Sequence, residues 1–239
     1  MKKACRYKPL NLLNNKGFWP EKAAIVDAIK EILTVGKCRR PLPISDYGRF
    51  RDRNWRSQDN ELVAYQSVDW YVYDALDEER MQVDSDRILR RLSTEPWRKE
   101  DSLGDHYDLF VLEEDMFDPD GPGPGAGVDY VVGRSERLTA AVVSTYRIEH
   151  IWGMPYSYLK TEVMRQLCFM FGVPDAGRDD VAADGGAVHC TNPCMLRPAY
   201  VAPHDWDALT EDRLTRGPLC DHCAHDLRSF FEQVAREKN

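Results

Sequence analysis

Four cysteines in two close pairs, Cys190-x-x-x-Cys194 and Cys220-x-x-Cys223, constrain this chain more than any other feature. A tight turn lets a Cys-x-x-Cys segment present both sulfurs to one metal, and two such loops complete a tetrahedral zinc site. The second pair precedes a stretch with helical spacing, where free backbone N–H groups stabilise thiolates. Pro193 stiffens the looser first pair. The expectation is a structural zinc held by Cys190, Cys194, Cys220 and Cys223. His189, His222 and His225 sit among these cysteines and are alternative ligands, because structural sites mix Cys and His. A redox pair is the other alternative, but no thioredoxin-type strand precedes Cys220. A shell of four thiolates leaves no position for water, so such an ion staples the fold and contributes several kcal/mol of folding energy without doing chemistry. Cys5, Cys38 and Cys168 remain as single thiols.

The odd total of seven cysteines fits a reducing compartment, where clusters are metal ligands or free thiols. No apolar run approaches the ~20 residues needed to cross a bilayer, and the basic start leads to no apolar signal segment. A cytoplasmic protein without a membrane partner is expected. Net charge is −8, which argues against a polyanionic partner for the whole surface. The first 57 residues nevertheless carry 14 basic and 5 acidic side chains. Within them, Lys37–Pro41 and Tyr47–Arg56 interleave Arg with aromatics, a pattern able to stack on bases and bind phosphates. The competing reading is a solvated loop paired with the acidic remainder, so nucleic acid is not expected as a partner.

Apolar periodicity predicts an early helix over Pro20–Val35, a strand over Glu61–Tyr65 and a helix over Ser85–Leu92. Short β-rich runs follow at Tyr107–Leu112 and Tyr130–Val132, separated by a Gly/Pro-rich loop at Asp118–Gly127. That loop lacks the Gly-Lys-Ser/Thr and the helix of a phosphate-binding loop. Leu138–Tyr146 reads as a strand. Tyr158–Phe171 carries Leu159, Val163, Leu167 and Met170 at helical spacing and is stopped by Gly172 and Pro174, and a last helix spans about Ala224–Ala235. The length of 239 residues allows one medium domain or two small ones. Strands flanked by helices make one α/β (α+β) domain over 61–239 the economical expectation. The basic segment 1–60 would pack on or extend it.

In the order of these features the chain resembles the archaemetzincins, metzincin-like zinc peptidases with the signature HExxHxxGxxHCxxxxCxM followed by a distant CxxC. The similar stretch covers about residues 65–235, and its specific part is the Cys portion. The resemblance implies a twisted mixed sheet, an active-site-type helix and a small Cys-rich, zinc-stapled C-terminal part. It also implies that the four cysteines hold a structural zinc apart from the catalytic one.

Aligned on Phe171-Gly172, the catalytic signature falls on Arg165-Gln166-Leu167-Cys168-Phe169-Met170-Phe171-Gly172. Arg165 and Phe169 stand where the resemblance puts two His ligands, and Gln166 where it puts the general base. A guanidinium has no lone pair to give, an amide takes no proton from water and a phenyl ring ligates no zinc. The third ligand falls on Asp175 by counting, or on His189 if the His-Cys junction is matched across an insertion of 14 residues. Met195 resembles the Met-turn with one residue missing. The expectation is therefore an inactive peptidase homologue, a pseudoenzyme that binds structural zinc and acts as a binding or regulatory module for a peptide or protein ligand in the former cleft. Arg165 would recognise a carboxylate there, or fill the vacated metal position by pairing with Asp175 or Glu162. The alternative is a metallopeptidase or other hydrolase with a rebuilt site drawn from His106, His150, Glu162, Asp175, His189 and a nucleophilic Cys168.

Overall fold

Strand β5 (Tyr107–Leu112) is buried along its whole length, so both of its faces must be covered by other elements. The computed structural model, which describes residues 6–15, 22–49, 67–95, 105–119, 130–150, 155–184, 187–200 and 203–237, shows what covers them. Strands β1 (Leu10–Asn14), β2 (Ile44–Gly48), β7 (Gly133–Glu136) and β8 (Ala140–Ser144) join β5 in a sheet of order β2-β1-β5-β8-β7. The first four in that order run parallel, and β7 returns antiparallel to β8 at one end of the order. Two residues of the basic N-terminal segment's first strand, Leu10 and Leu12, pair with Tyr107 and Leu109 of β5.

Alternation along β5 separates two cores. Tyr107, Leu109 and Val111 face the larger one, with helices α1 (Lys22–Val35) and a later pair described below, while Phe110 and Leu112 face a smaller one. The smaller core is closed by α2 (Val68–Ala75) and α3 (Ser85–Ser93). A short sheet of β3 (Leu76–Asp77), β4 (Gln82–Asp84) and β6 (Met116–Phe117) lies beside it. After β8 come α4 (Tyr146–His150) and the long α5 (Pro155–Met170). The hairpin of β9 (Val181–Asp184) and β10 (Ala187–Cys190) follows, then α6 (His204–Arg216) and α7 (Asp221–Arg236). Leu159, Val163 and Leu167 of α5 and Leu227, Phe230 and Phe231 of α7 complete the larger core.

A mixed sheet with helices on both faces and a cysteine-bearing C-terminal part is the expected α/β class. The helices over 20–35, 85–92, 158–171 and 224–235 appear with small shifts at their ends. Proline opens α5, where its missing N–H is harmless. The same helix closes on Gly172 at φ +81, with Gly172 N donating to Phe169 O and Val173 N to Cys168 O, both at 2.9 Å. That pair of bonds is a Schellman cap, which needs glycine at its left-handed position. Two expectations move, and a new element appears. Val131 makes only an isolated bridge to Met116, and the strand lies at Gly133–Glu136 instead. The 138–146 run holds a strand only over Ala140–Ser144, with Tyr146 opening α4. The insertion after Asp175 leads into the β9–β10 hairpin, whose second strand includes His189 and Cys190. The expected strand at 61–65, the aromatic half of the basic stretch at 50–56, and 120–127 of the Gly-rich loop lie outside the described residues.

Candidate functional site

The two cysteine pairs converge. Cys190 ends β10, and its N–H bonds Leu196 O at 3.1 Å, folding the intervening loop so that Cys194 turns back toward it. Cys220 caps α7 and Cys223 lies in its first turn. All four sulfurs lie within 4.8 Å of one another, and Cys190 Sγ is 3.7 Å from Cys220 Sγ. Zn–S bonds of about 2.3 Å in a tetrahedron require sulfur separations of about 3.7–3.8 Å, so this donor set fits a tetrahedral ion. Without an ion the thiols must share protons. Hydrogen bonds from Cys194 and Cys223 pull Cys190 down toward the thiolate, and the same bonds push Cys194 up to about 12 and raise Cys223. A cation among the sulfurs would favour all four as thiolates.

The surroundings suit that charge. Four thiolates around a divalent ion carry two excess negative charges, and Arg178 lies against them, with Nη1 3.4 Å from Cys223 Sγ and Nη2 3.7 Å from Cys190 Sγ. Burial alone would lower the Arg178 pKa, but bonds to Asp180, Cys223 and Asp226 raise it, so it stays a firm cation. His222 and His225 have side chains 66% and 76% exposed, directed to Asp180 and Asp226 and outside the sulfur cluster. Of the remaining thiols, Cys38 bonds Arg40 O and Cys5 lies outside the described residues.

Beside the cysteines runs the stripe Glu162, Arg165, Gln166 and Phe169 of α5, at helical spacing of three and four residues. Such a stripe is ordinarily the wet face of a helix, yet Glu162, Arg165 and Gln166 are buried. Arg165 Nη1 donates to Met195 O at 2.6 Å and Arg197 O at 3.0 Å, and its Nε lies 3.4 Å from Glu162 Oε2 as an ion pair. Gln166 Nε2 donates to Glu162 Oε1 at 2.7 Å, and Trp206 Nε1 to Glu162 Oε2 at 3.1 Å. Burial pushes the Arg165 guanidinium down and the Glu162 charge pushes it back up. It remains charged, as arginine does in proteins. Phe169 meets the His189 ring edge-on at 5.4 Å.

Gly133 of β7 closes this network from above. A methyl group there would stand 2.4 Å from Glu162 Oε1 and 2.7 Å from Gln166 Cγ. Because Glu162 is held by three partners, it has nowhere to move. Gly133→Ala should therefore cost about 1–3 kcal/mol as overpacking. Urea denaturation checks this, and a variant as stable as wild type would show that the carboxylate is free to swing.

The other sequence candidates scatter. Arg165 pairs with Glu162 and not with Asp175. Asp175 is exposed in the wall of a separate cavity of about 750 Å³ that also includes Arg6, Arg137 and Arg178, and its N–H bonds Asp226. Its own Oδ1 accepts from Gly177 N in the local turn. Cys168 is fully buried in the core, and burial pushes its thiol well above the ordinary range, away from the thiolate form that a nucleophile uses. His106 pairs with Asp108 and Glu95 across the sheet from α5. His150 ends α4. Of the two readings of Arg165, the structure shows the pairing with Glu162, with Nη1 on the carbonyls of Met195 and Arg197. Sequence reasoning missed Trp206, Gly133 and Arg178, since each meets its partners only through long-range packing.

No family model and no curated protein matches the chain. Among solved structures it is similar to the archaemetzincin of Methanopyrus kandleri, at 17% identity, a TM-score of 0.57, and coverage of 97% of this chain and 99% of that one. The chain thus has the archaemetzincin fold.

Proposed function

We propose that this archaemetzincin-fold chain does not hydrolyse peptides and serves as a zinc-stapled binding or regulatory module. The carrying observation is the Arg165 guanidinium, fixed between α5 and the carbonyls of Met195 and Arg197. Peptide hydrolysis by zinc requires donors with lone pairs and a carboxylate that takes a proton from water. Arg165 sets a permanent cation at the position that the family resemblance gives to the first ligand, where it repels a second cation. Glu162 is the carboxylate paired with Arg165, and Arg165, Gln166 and Trp206 already engage its oxygens.

Zinc in the four-cysteine site joins β10 to the start of α7. A reducing compartment such as the cytoplasm keeps those thiols available. No helix among the described residues is long and apolar enough to cross a membrane. The peptide or protein ligand expected in the former cleft would lie extended along β7, whose Gly133 packs against Glu162 and Gln166. Among the described residues β7 is at the sheet's edge, and an edge offers unpaired backbone groups for strand addition. The decisive measurement is incubation of the zinc-loaded chain with a mixed peptide library. Peptides should be retained uncleaved, and chelator-sensitive cleavage abolished by Gln166→Ala would overturn the proposal.

A further inference from the structure

On the sheet face away from α5, three metal-ligating side chains from separate parts of the chain meet without any solvent. Asp108 belongs to β5 and points with Phe110 into the smaller core, and His106, two residues earlier, shares that side by strand alternation. Glu95 follows α3. Their side chains are 0–1% exposed. Each offers one ligand atom, all within 4.8 Å of one another.

We propose that Glu95, His106 and Asp108 bind a second divalent cation, independent of the four cysteines. Geometry is the first support. His106 Nε2 lies 3.2 Å from Asp108 Oδ2 and 3.4 Å from Glu95 Oε2. Metal bonds of about 2.0–2.1 Å in a tetrahedral site require donor separations of about 3.3–3.4 Å. Both carboxylate oxygens approach the same ring nitrogen, as they do when all three atoms converge on one point.

Orientation is the second support. The Tyr71 hydroxyl hydrogen-bonds Glu95 Oε1, which leaves Oε2 as the oxygen turned toward His106. Tyr71 is itself fixed edge-on against Phe110 at 5.2 Å. Outer groups of this kind set the direction of a first-shell carboxylate. Donor chemistry is the third: a divalent ion accepts both buried carboxylates and the neutral ring as ligands at once. An imidazole with two carboxylates selects a borderline first-row ion of the zinc class over calcium or magnesium, which take oxygen ligands. The ion ties the chain after α3 to β5.

The test uses the whole protein, saturated with zinc and desalted. Mass spectrometry under non-denaturing conditions should count two zinc ions per chain, and zinc-edge X-ray absorption should show nitrogen and oxygen donors beside sulfur. The double variant Glu95→Gln/Asp108→Asn should drop the count from two to one and leave an all-sulfur shell, while Cys223→Ser should weaken only the sulfur signal. One ion in an all-sulfur shell in wild type would overturn the inference, as would a double variant that still holds two. If that variant fails to fold, the wild-type spectrum alone decides. One ion with nitrogen and oxygen donors only would keep this site and remove the zinc from the cysteines, so the two assignments fail separately.

Discussion

Cys223→Ser, or a strong chelator applied to the wild type, is expected to lower the melting temperature by roughly 10 °C or more and to loosen the C-terminal part of the chain first. Structural zinc contributes apparent binding free energies of ~10–16 kcal/mol in small domains that have little else to hold them. Here the main core shares the load, because Cys190, Cys194 and Cys223 are buried in one cluster with Met195, Leu196, Leu227 and Phe230. A net loss of about 4 kcal/mol is then a reasonable floor, and at about 2–4 °C per kcal/mol for a chain of this size it gives the stated shift. The pH dependence has a definite sign. Ligands bind as thiolates, so protons compete with the ion, and the melting difference between zinc-loaded and chelated protein should shrink as pH falls. Cys194, raised to about 12 in the ion-free set by its bond to Cys190, is one thiol whose proton the metal must displace. Calorimetric scans with and without chelator at several pH values make the measurement. Identical scans at neutral pH would mean that the four sulfurs hold no ion that matters to the fold.

How much of this was legible beforehand depended on whether a feature is local. Helix α5 was visible because Leu159, Val163 and Leu167 repeat at helical spacing before a glycine stop, and its Schellman cap at Gly172 is built from neighbours in sequence. The cysteine pairs were visible for the same reason: each pair is a local turn. Strand β1 was not. Leu-Asn-Leu-Leu-Asn is buried throughout, its Asn11 and Asn14 included, so the polar–apolar alternation that marks a one-sided strand is missing. Helix α2 was hidden by its composition, since Val-Asp-Trp-Tyr-Val-Tyr is rich in residues that favour strands, and its packing together with the Ser67 cap overrides that preference. At the site, the Glu162–Arg165 pair could be read from a spacing of three residues. The carbonyls of Met195 and Arg197, the Trp206 indole and the close approach of Gly133 could not, because tertiary packing alone brings them to α5.

Arg165→Met should destabilise the protein by about 3–5 kcal/mol, because it removes one partner of a buried ion pair and leaves Glu162 buried with its charge uncompensated. Two further losses act in the same direction, since Met195 O and Arg197 O both forfeit the donor that ties their loop to α5. Arg165→Lys is expected to recover only part of the loss. An ammonium group is a compact point charge without the planar fork that lets one guanidinium serve two carbonyls and face a carboxylate together. Combining Arg165→Met with Glu162→Gln separates the charge from the hydrogen bonds. The double variant no longer buries an unpaired charge, so its cost should fall below the sum of the two single costs, by up to about 3 kcal/mol of coupling. Urea denaturation of the four proteins provides the cycle. If Arg165→Met alone costs less than about 1 kcal/mol, the guanidinium does not hold α5 to the 195–197 loop. A permanent cation would then no longer stand where the family resemblance places a zinc ligand, and the main support for a non-hydrolytic role would be gone.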